Sequence, residues 1–180
     1  MSKKDTLEEK RADLIIKYRK LVLEKREEED ERIVYRLTDK KGHPIIMHGI
    51  LGQKTIGISY VRELKDMVEK EGAEKGILVG DGKYTYSARS EAEKEKIELI
   101  PPTLPTFDIF EHDLVPLHEI VAEEELEGVT KKFHAEAYQF PWIKSNDPIS
   151  IILGAKAGNV IKITQKSETA GTAISYRYVV

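Results

Sequence analysis

The sequence predicts two small domains in tandem, an α/β domain over residues 1–105 and a smaller α+β domain built round a β-hairpin over residues 106–180. Three observations predict this. Helical and strand patterns alternate in quick succession from Val61 to Ile100, which calls for a sheet with parallel crossovers. Composition then breaks at Pro101-Pro102-Thr103-Leu104-Pro105-Thr106, because prolines lack the N–H donor and restrict their neighbours. Beyond the break, Val160–Thr164 and Ala173–Val179 alternate as strands around Ser167–Gly171, the pattern of a hairpin.

The elements follow in order. Thr6-x-x-Glu9 reads as a capping box opening a helix whose apolar stripe is Leu7, Leu14, Ile15, Tyr18, Leu21 and Val22. The charged tract Glu24–Arg32 reads as a solvated continuation of that helix. Ile33, Tyr35 and Leu37 alternate as a strand, Asp39-Lys40-Lys41-Gly42 supplies a turn, and Pro44–Leu51 returns. Val61, Leu64 and Val68 mark a helix that Gly72 ends. Gly76-Ile77-Leu78-Val79-Gly80 is apolar throughout, as a strand buried on both faces must be. Thr85 caps the next helix, where Ala88 and Ala92 allow close packing, and Ile97–Ile100 is a third strand. After the break, Glu123-Glu124-Glu125 is the acidic first turn of a helix carrying Leu126, Val129 and Phe133. Asp147-Pro148 begins another, which Gly154 closes.

Composition narrows the function classes. Hydrophobic residues at 40% permit a packed core, and a net charge of −3 leaves no global basic field for free nucleic-acid binding, so any such contact is local. The chain has no cysteine, which excludes disulfides and thiolate metal sites. The start, MSKKDTLEEK, has no apolar leader, and no run approaches the ~18 apolar residues that span a bilayer. A cytoplasmic location is expected, or a nuclear one if the source is eukaryotic. Glu and Lys dominate the charge while amides are few, a habit of thermophiles.

The segment His112-Asp113-Leu114-Val115-Pro116-Leu117-His118-Glu119-Ile120 resembles the signature of the archaeal H-subunit family of RNA polymerase, whose eukaryotic relative is the fifth-largest subunit. Gln139-Phe140-Pro141-Trp142-Ile143, Asp147-Pro148, Gly154-Ala155-Lys156, Gly158-x-Val160-Ile161-Lys162-Ile163 and Ser167-Glu168-Thr169-Ala170-Gly171 through Tyr176-Arg177-Tyr178-Val179-Val180 follow in the family's order. The resemblance implies a non-catalytic subunit of DNA-directed RNA polymerase that docks on the largest subunit, beside neighbouring small subunits. It names as interface candidates His112, Val115, Pro116, His118, Pro141, Trp142, Asp147, Pro148, Gly154, Thr169, Gly171, Tyr176 and Tyr178. No cofactor, metal, membrane or small-molecule ligand is implied. Tyr176 and Tyr178 share one strand face and read equally as core or contact.

Unlike most archaeal members, this chain carries a long segment before the shared module. Val61–Leu64, Gly76–Val79, Thr85-x-Ser87-Ala88 and Ile97–Ile100 are similar to the jaw domain of the eukaryotic subunit and to the restriction-endonuclease-like core. By that likeness the loop Lys83, Tyr84, Thr85, Tyr86, Ser87 and Arg89 is the candidate contact to downstream double-stranded DNA. Tyr86 departs from the relative's proline. A nuclease gathers carboxylates and a lysine around a metal, yet His48 and Ile50 occupy the places of that motif's Gln and Lys. Glu63-Leu64-Lys65 spells the motif on a helix, where it reads as a solvated face. His112 and His118 read as local hydrogen-bonding groups around Val115-Pro116, and Gly80-Asp81-Gly82-Lys83 as a tight turn. No catalytic residue is therefore expected. The alternative is a stand-alone nuclease-like DNA-binding protein, with or without residual Mg-dependent hydrolase activity.

Overall fold

Thr6 and Glu9 form the reciprocal capping box of the first helix, α1 (Leu7–Arg19), in the computed structural model, which describes residues 6–167 and 171–180. Lys20 turns left-handed at φ 56°, so the helix stops before Leu21 and Val22. The tract expected to prolong the helix is instead an edge strand, β1 (Val22–Glu28), followed by a turn into β2 (Arg32–Thr38). Helix-forming Glu, Lys and Arg lose here to pairing with β2. Arg36 binds Glu27, Thr38 binds Glu24, and Arg26 reaches back to Glu9 on α1. Local propensity is a weak prior against such cross-strand bonds.

The rest of this unit, Met1–Phe107, follows the expected alternation. After β3 (Pro44–Ile50) and the short β4 (Thr55–Ile56) come α2 (Ile58–Glu71), β5 (Lys75–Gly80), the short β6 (Lys83–Tyr84), α3 (Tyr86–Lys94) and β7 (Glu98–Ile100). The main sheet runs β1-β2-β3-β5-β7. Its first three strands are antiparallel, and β3, β5 and β7 are parallel. Leu64, Val61, Ala88 and Ala92 from α2 and α3 pack on Val34, Ile46, Ile50 and Leu78 on one face. The alternate residues Ile33, Tyr35, Met47, Ile77 and Val79 point to the other face, where α1 lies along β3 and β5 with Ala12 and Ile15 buried. The proline-rich segment is no free linker at its start. Leu104 is 2% exposed, and its carbonyl accepts from Arg11 Nε at 2.8 Å.

The second unit, Asp108–Val180, contains β8 (Leu117–Ile120), α4 (Glu123–Phe133), β9 (Trp142–Ile143), α5 (Pro148–Leu153), β10 (Val160–Ser167) and β11 (Gly171–Val179). The sheet order is β8-β10-β11-β9, with the expected hairpin between β10 and β11 and with β9 parallel to β11. Leu126 and Val129 of α4 join Val121, Phe140, Val160, Tyr176 and Tyr178 on one face. Leu153 and Ala155, from α5 and its exit, meet Ile161, Ile163 and Val179 on the other. The rings of Phe133, Phe140 and Tyr176 stand 5.4–5.8 Å apart in a triangle. Tyr176 and Tyr178, left open by the pattern, are therefore half-buried core residues. Among the described residues no helix is long and apolar enough to cross a membrane.

Candidate nucleic-acid and polymerase interfaces

Two helices of the first unit begin side by side because of a miniature ladder. β4 and β6 pair in parallel, Thr55 opposite Lys83 and Ile56 opposite Tyr84. The ladder extends through Lys83 N–H to Lys54 O and Thr85 N–H to Ile56 O, each at 3.0 Å. Gly82 permits the approach, since a Cβ there would lie 2.2 Å from Gln53 O. Thr85 caps α3 by accepting from Ala88 N–H at 3.2 Å, and neither α2 nor α3 has an acid in its first turn. Unopposed helix N-termini favour anions.

Around this edge Lys54, Lys83, Ser87 and Arg89 are exposed, and Tyr86 is 87% exposed. Lys54, Lys83 and Arg89 form no ion pair with a described residue. Nearby Arg62 and Lys65 are engaged by Glu91 and Glu95. Of the candidate DNA contacts, Lys83, Tyr86, Ser87 and Arg89 thus lie together at the surface, with Thr85 half-buried as their cap. Tyr84 does not join them. Its ring is buried and its hydroxyl sits between Leu78 O at 3.0 Å and Ile100 O at 2.9 Å, and burial raises its pKa above the ordinary tyrosine range. Tyr84 holds the loop to β5 and β7 from within. Lys54 was invisible to sequence reasoning because only the β4–β6 pairing brings it beside Lys83.

In the second unit the shared motifs divide into punctuation and surface. Asp147 accepts from Ile149 N–H at 2.9 Å, Pro148 opens α5, and Gly154 ends it, so these three shape a helix. His112 Nδ1 accepts from Leu114 N–H at 3.1 Å, Val115 N–H donates to His112 O at 2.8 Å, and His118 Nδ1 donates to Pro116 O at 2.7 Å. The expected local role of both histidines around this bend is what the geometry has. His118 is buried, and desolvation lowers its pKa against the pull of the Pro116 carbonyl. Pro141 O accepts from Tyr178 N–H at 2.9 Å, which sets Trp142 on the β9 edge. Trp142 is 70% exposed and donates from Nε1 to Tyr138 O at 3.1 Å. Tyr138 is exposed beside it, an aromatic neighbour that the motif did not flag. Gly171 opens β11 with φ 73°, while Thr169 lies outside the described residues.

The family model described as RNA polymerase Rpb5, C-terminal domain, matches residues 107–179, and one described as restriction endonuclease matches residues 8–103. The DNA-directed RNA polymerase subunit Rpo5 of Methanococcoides burtonii is 43% identical over 74 residues, covering 41% of this chain and 95% of that protein. The chain belongs to the Rpo5 family. Rpo5 of Thermococcus kodakarensis is 51% identical over 74 residues, with 41% and 90% covered. Rpo5 of Sulfolobus acidocaldarius is 45% identical over 73 residues, with 41% and 87% covered. This is a family of non-catalytic RNA polymerase subunits, and here its module follows a restriction-endonuclease-like domain. A solved structure of EndoMS in apo form overlaps with a TM-score of 0.42 and 24% identity, covering 55% of this chain and 47% of that one.

A nuclease-type metal does not fit the residues of that domain. Ile45, Ile46, Met47 and Ile50 of β3 are buried and aliphatic or thioether. His48, between them, is fully buried with Nε2 3.4 Å from Met67 Sδ and Nδ1 unbonded. Desolvation, then Arg32 and Arg36, lowers its pKa to about 4, so the ring stays neutral and shut away from solvent. Glu63 binds Arg32 at 2.5 Å and Lys65 binds Glu95 at 2.9 Å, with Leu64 buried between them, which makes this triplet the solvated helix face expected of it. Among the described residues no three His, Asp or Glu side chains converge.

Proposed function

We propose that this chain is the Rpo5-type subunit of a DNA-directed RNA polymerase, docking on the largest subunit through its C-terminal module and supporting downstream duplex DNA with its endonuclease-like domain. The observation that carries the reading is the ordered match of residues 107–179 to the family. Trp142 and Tyr138 supply an exposed aromatic pair of the kind enriched at interface centres. For DNA, the paired starts of α2 and α3 with Lys54, Lys83 and Arg89 offer phosphate contacts, which carry little sequence preference and weaken with salt. The protein acts where transcription takes place, in a cytoplasm or, in a eukaryote, a nucleus.

The test is reconstitution of a polymerase lacking this subunit with the full chain, and with a fragment starting near Thr106. Both are expected to enter the complex, and only the full chain is expected to crosslink downstream DNA from positions 83–89. A folded C-terminal fragment that stays out, while residues 1–105 enter, reverses the assignment of roles.

A further inference from the structure

The sheet edges of this protein are treated unequally. On β1 the edge is blunted by Glu24, Lys25, Arg26, Glu27 and Glu28 and by a bulge between Leu23 and Lys25, devices that discourage strand pairing. β7 has three residues and β9 two, and β9 is extended by Ser145 N–H bonding Val180 O. β8 has no such device within its span. Val121 N–H donates to Val160 O at 2.9 Å, so by antiparallel alternation Leu117 and Glu119 also turn their backbone groups towards β10. His118 and Ile120 therefore turn their N–H and C=O groups outward, where no described residue bonds them. Beside these groups Leu117 and Ile120 expose their side chains, one on each face of the strand, and Leu114 just upstream is 82% exposed.

Charge specifies the visitor. From Asp108 to Thr130 the chain contains Glu111, Asp113, Glu119 and Glu123–Glu125 among its acids and no lysine or arginine. We propose that the outer edge of β8 receives an extended, basic segment of a neighbouring polymerase subunit as an added strand. Its backbone bonds His118 and Ile120, apolar side chains on its two faces cover Leu117 and Ile120, and lysines or arginines meet the flanking acids. This rests on the subunit reading above and names how part of that docking is made. The aromatic pair at Trp142 lies on the opposite edge of the same sheet, so the two contacts are separable.

Single-amide hydrogen exchange on the full chain, free and assembled into polymerase, tests it. In the free chain the Glu119 and Val121 amides are expected to be protected and those of His118 and Ile120 open. Assembly is expected to slow His118 and Ile120 at least tenfold. Unchanged exchange at both in an assembled polymerase overturns the edge contact and leaves the subunit reading standing. Failure of the chain to assemble at all overturns both. A second arm compares Ile120→Pro, which removes an outward donor but no ladder bond, with Ile120→Ala in chains of unchanged circular dichroism. The proline is expected to weaken binding at least tenfold more than the alanine, and equal losses overturn the proposal.

Discussion

Arg11 Nε donates to the carbonyl of Leu104 at 2.8 Å, across 93 residues of chain. The same guanidinium reaches Gly80 O at 3.3 Å, Asp81 Oδ1 at 2.9 Å and Pro102 O at 2.6 Å. One buried cation thus ties α1 to the end of β5 and to the proline-rich segment. Arg11→Met removes the donor from three carbonyls and is expected to cost the first domain roughly 3 kcal/mol. Arg11→Lys should restore only part, because an ammonium cannot match the fork. Denaturant unfolding followed by a probe in each domain checks this. A loss under about 1 kcal/mol would mean that water replaces the arginine without penalty.

Acid should weaken the first domain through His48. A base whose folded pKa is about 4, against 6.5 unfolded, is protonated earlier in the unfolded chain. Stability is full above pH 6.5 and falls as the pH drops towards about 4. The expected loss is roughly 3 kcal/mol for this fully buried ring. His48→Leu should flatten that window. The carboxylates act lower down. Burial pushes Glu98 up, but Arg19 and Lys75 together bring it to about 2, so its contribution is lost only as pH falls below 4.5 through that value. Thermal unfolding scanned across pH separates the two, and an unchanged slope in His48→Leu would remove the histidine from the account.

The emptied β3 predicts inactivity towards phosphodiesters. The purified chain with Mg²⁺ or Mn²⁺ should cut DNA no faster than buffer alone. Cleavage that co-purifies with the chain and disappears in Glu63→Ala or Asp39→Asn would return the stand-alone nuclease to consideration.

Salt dependence tests the proposed DNA edge. Lys83→Ala/Arg89→Ala should make the slope of log binding constant against log salt shallower by about 2, and adding Lys54→Ala by about 3. Open-complex stability in reconstituted polymerase, titrated with salt, reads the slope. Identical slopes for the double variant and the parent would move the contact elsewhere.

Much of this fold was legible because local and tertiary signals agreed. Thr6-x-x-Glu9, Thr85 and Asp147-Pro148 each cap the helix they announce, and Gly76–Gly80 is the doubly buried strand its composition requires. The failure at Val22–Glu28 has one cause. A charged edge strand with both faces in solvent carries no apolar alternation, and its partners Glu9, Arg36 and Thr38 are distant in sequence. The site was half legible. Motif order singled out Trp142 as a candidate, and likeness to the jaw domain the Thr85 loop, but Tyr84's inward turn and the pairing of Lys54 with Lys83 depend on strands only two residues long.

Trp142 offers the simplest assembly test. With 70% of its surface exposed, Trp142→Ala should leave the fold near its original stability while weakening polymerase binding by about 2 kcal/mol or more. Competition with wild-type chain for a polymerase lacking the subunit gives the ratio. A loss of less than about threefold would place the interface centre elsewhere.

The arginines of α1 also set a timetable. Arg19 binds both oxygens of Glu98, and Arg11 waits for Gly80, Asp81, Pro102 and Leu104. α1 is translated first, and every one of these partners is translated long after it, the last of them beyond both strand crossovers. The first helix in the chain is therefore the last to have its arginines Arg11 and Arg19 met. The nascent first domain stays incomplete until the proline-rich stretch has cleared the exit, which delays its closure until translation of the second unit is already under way.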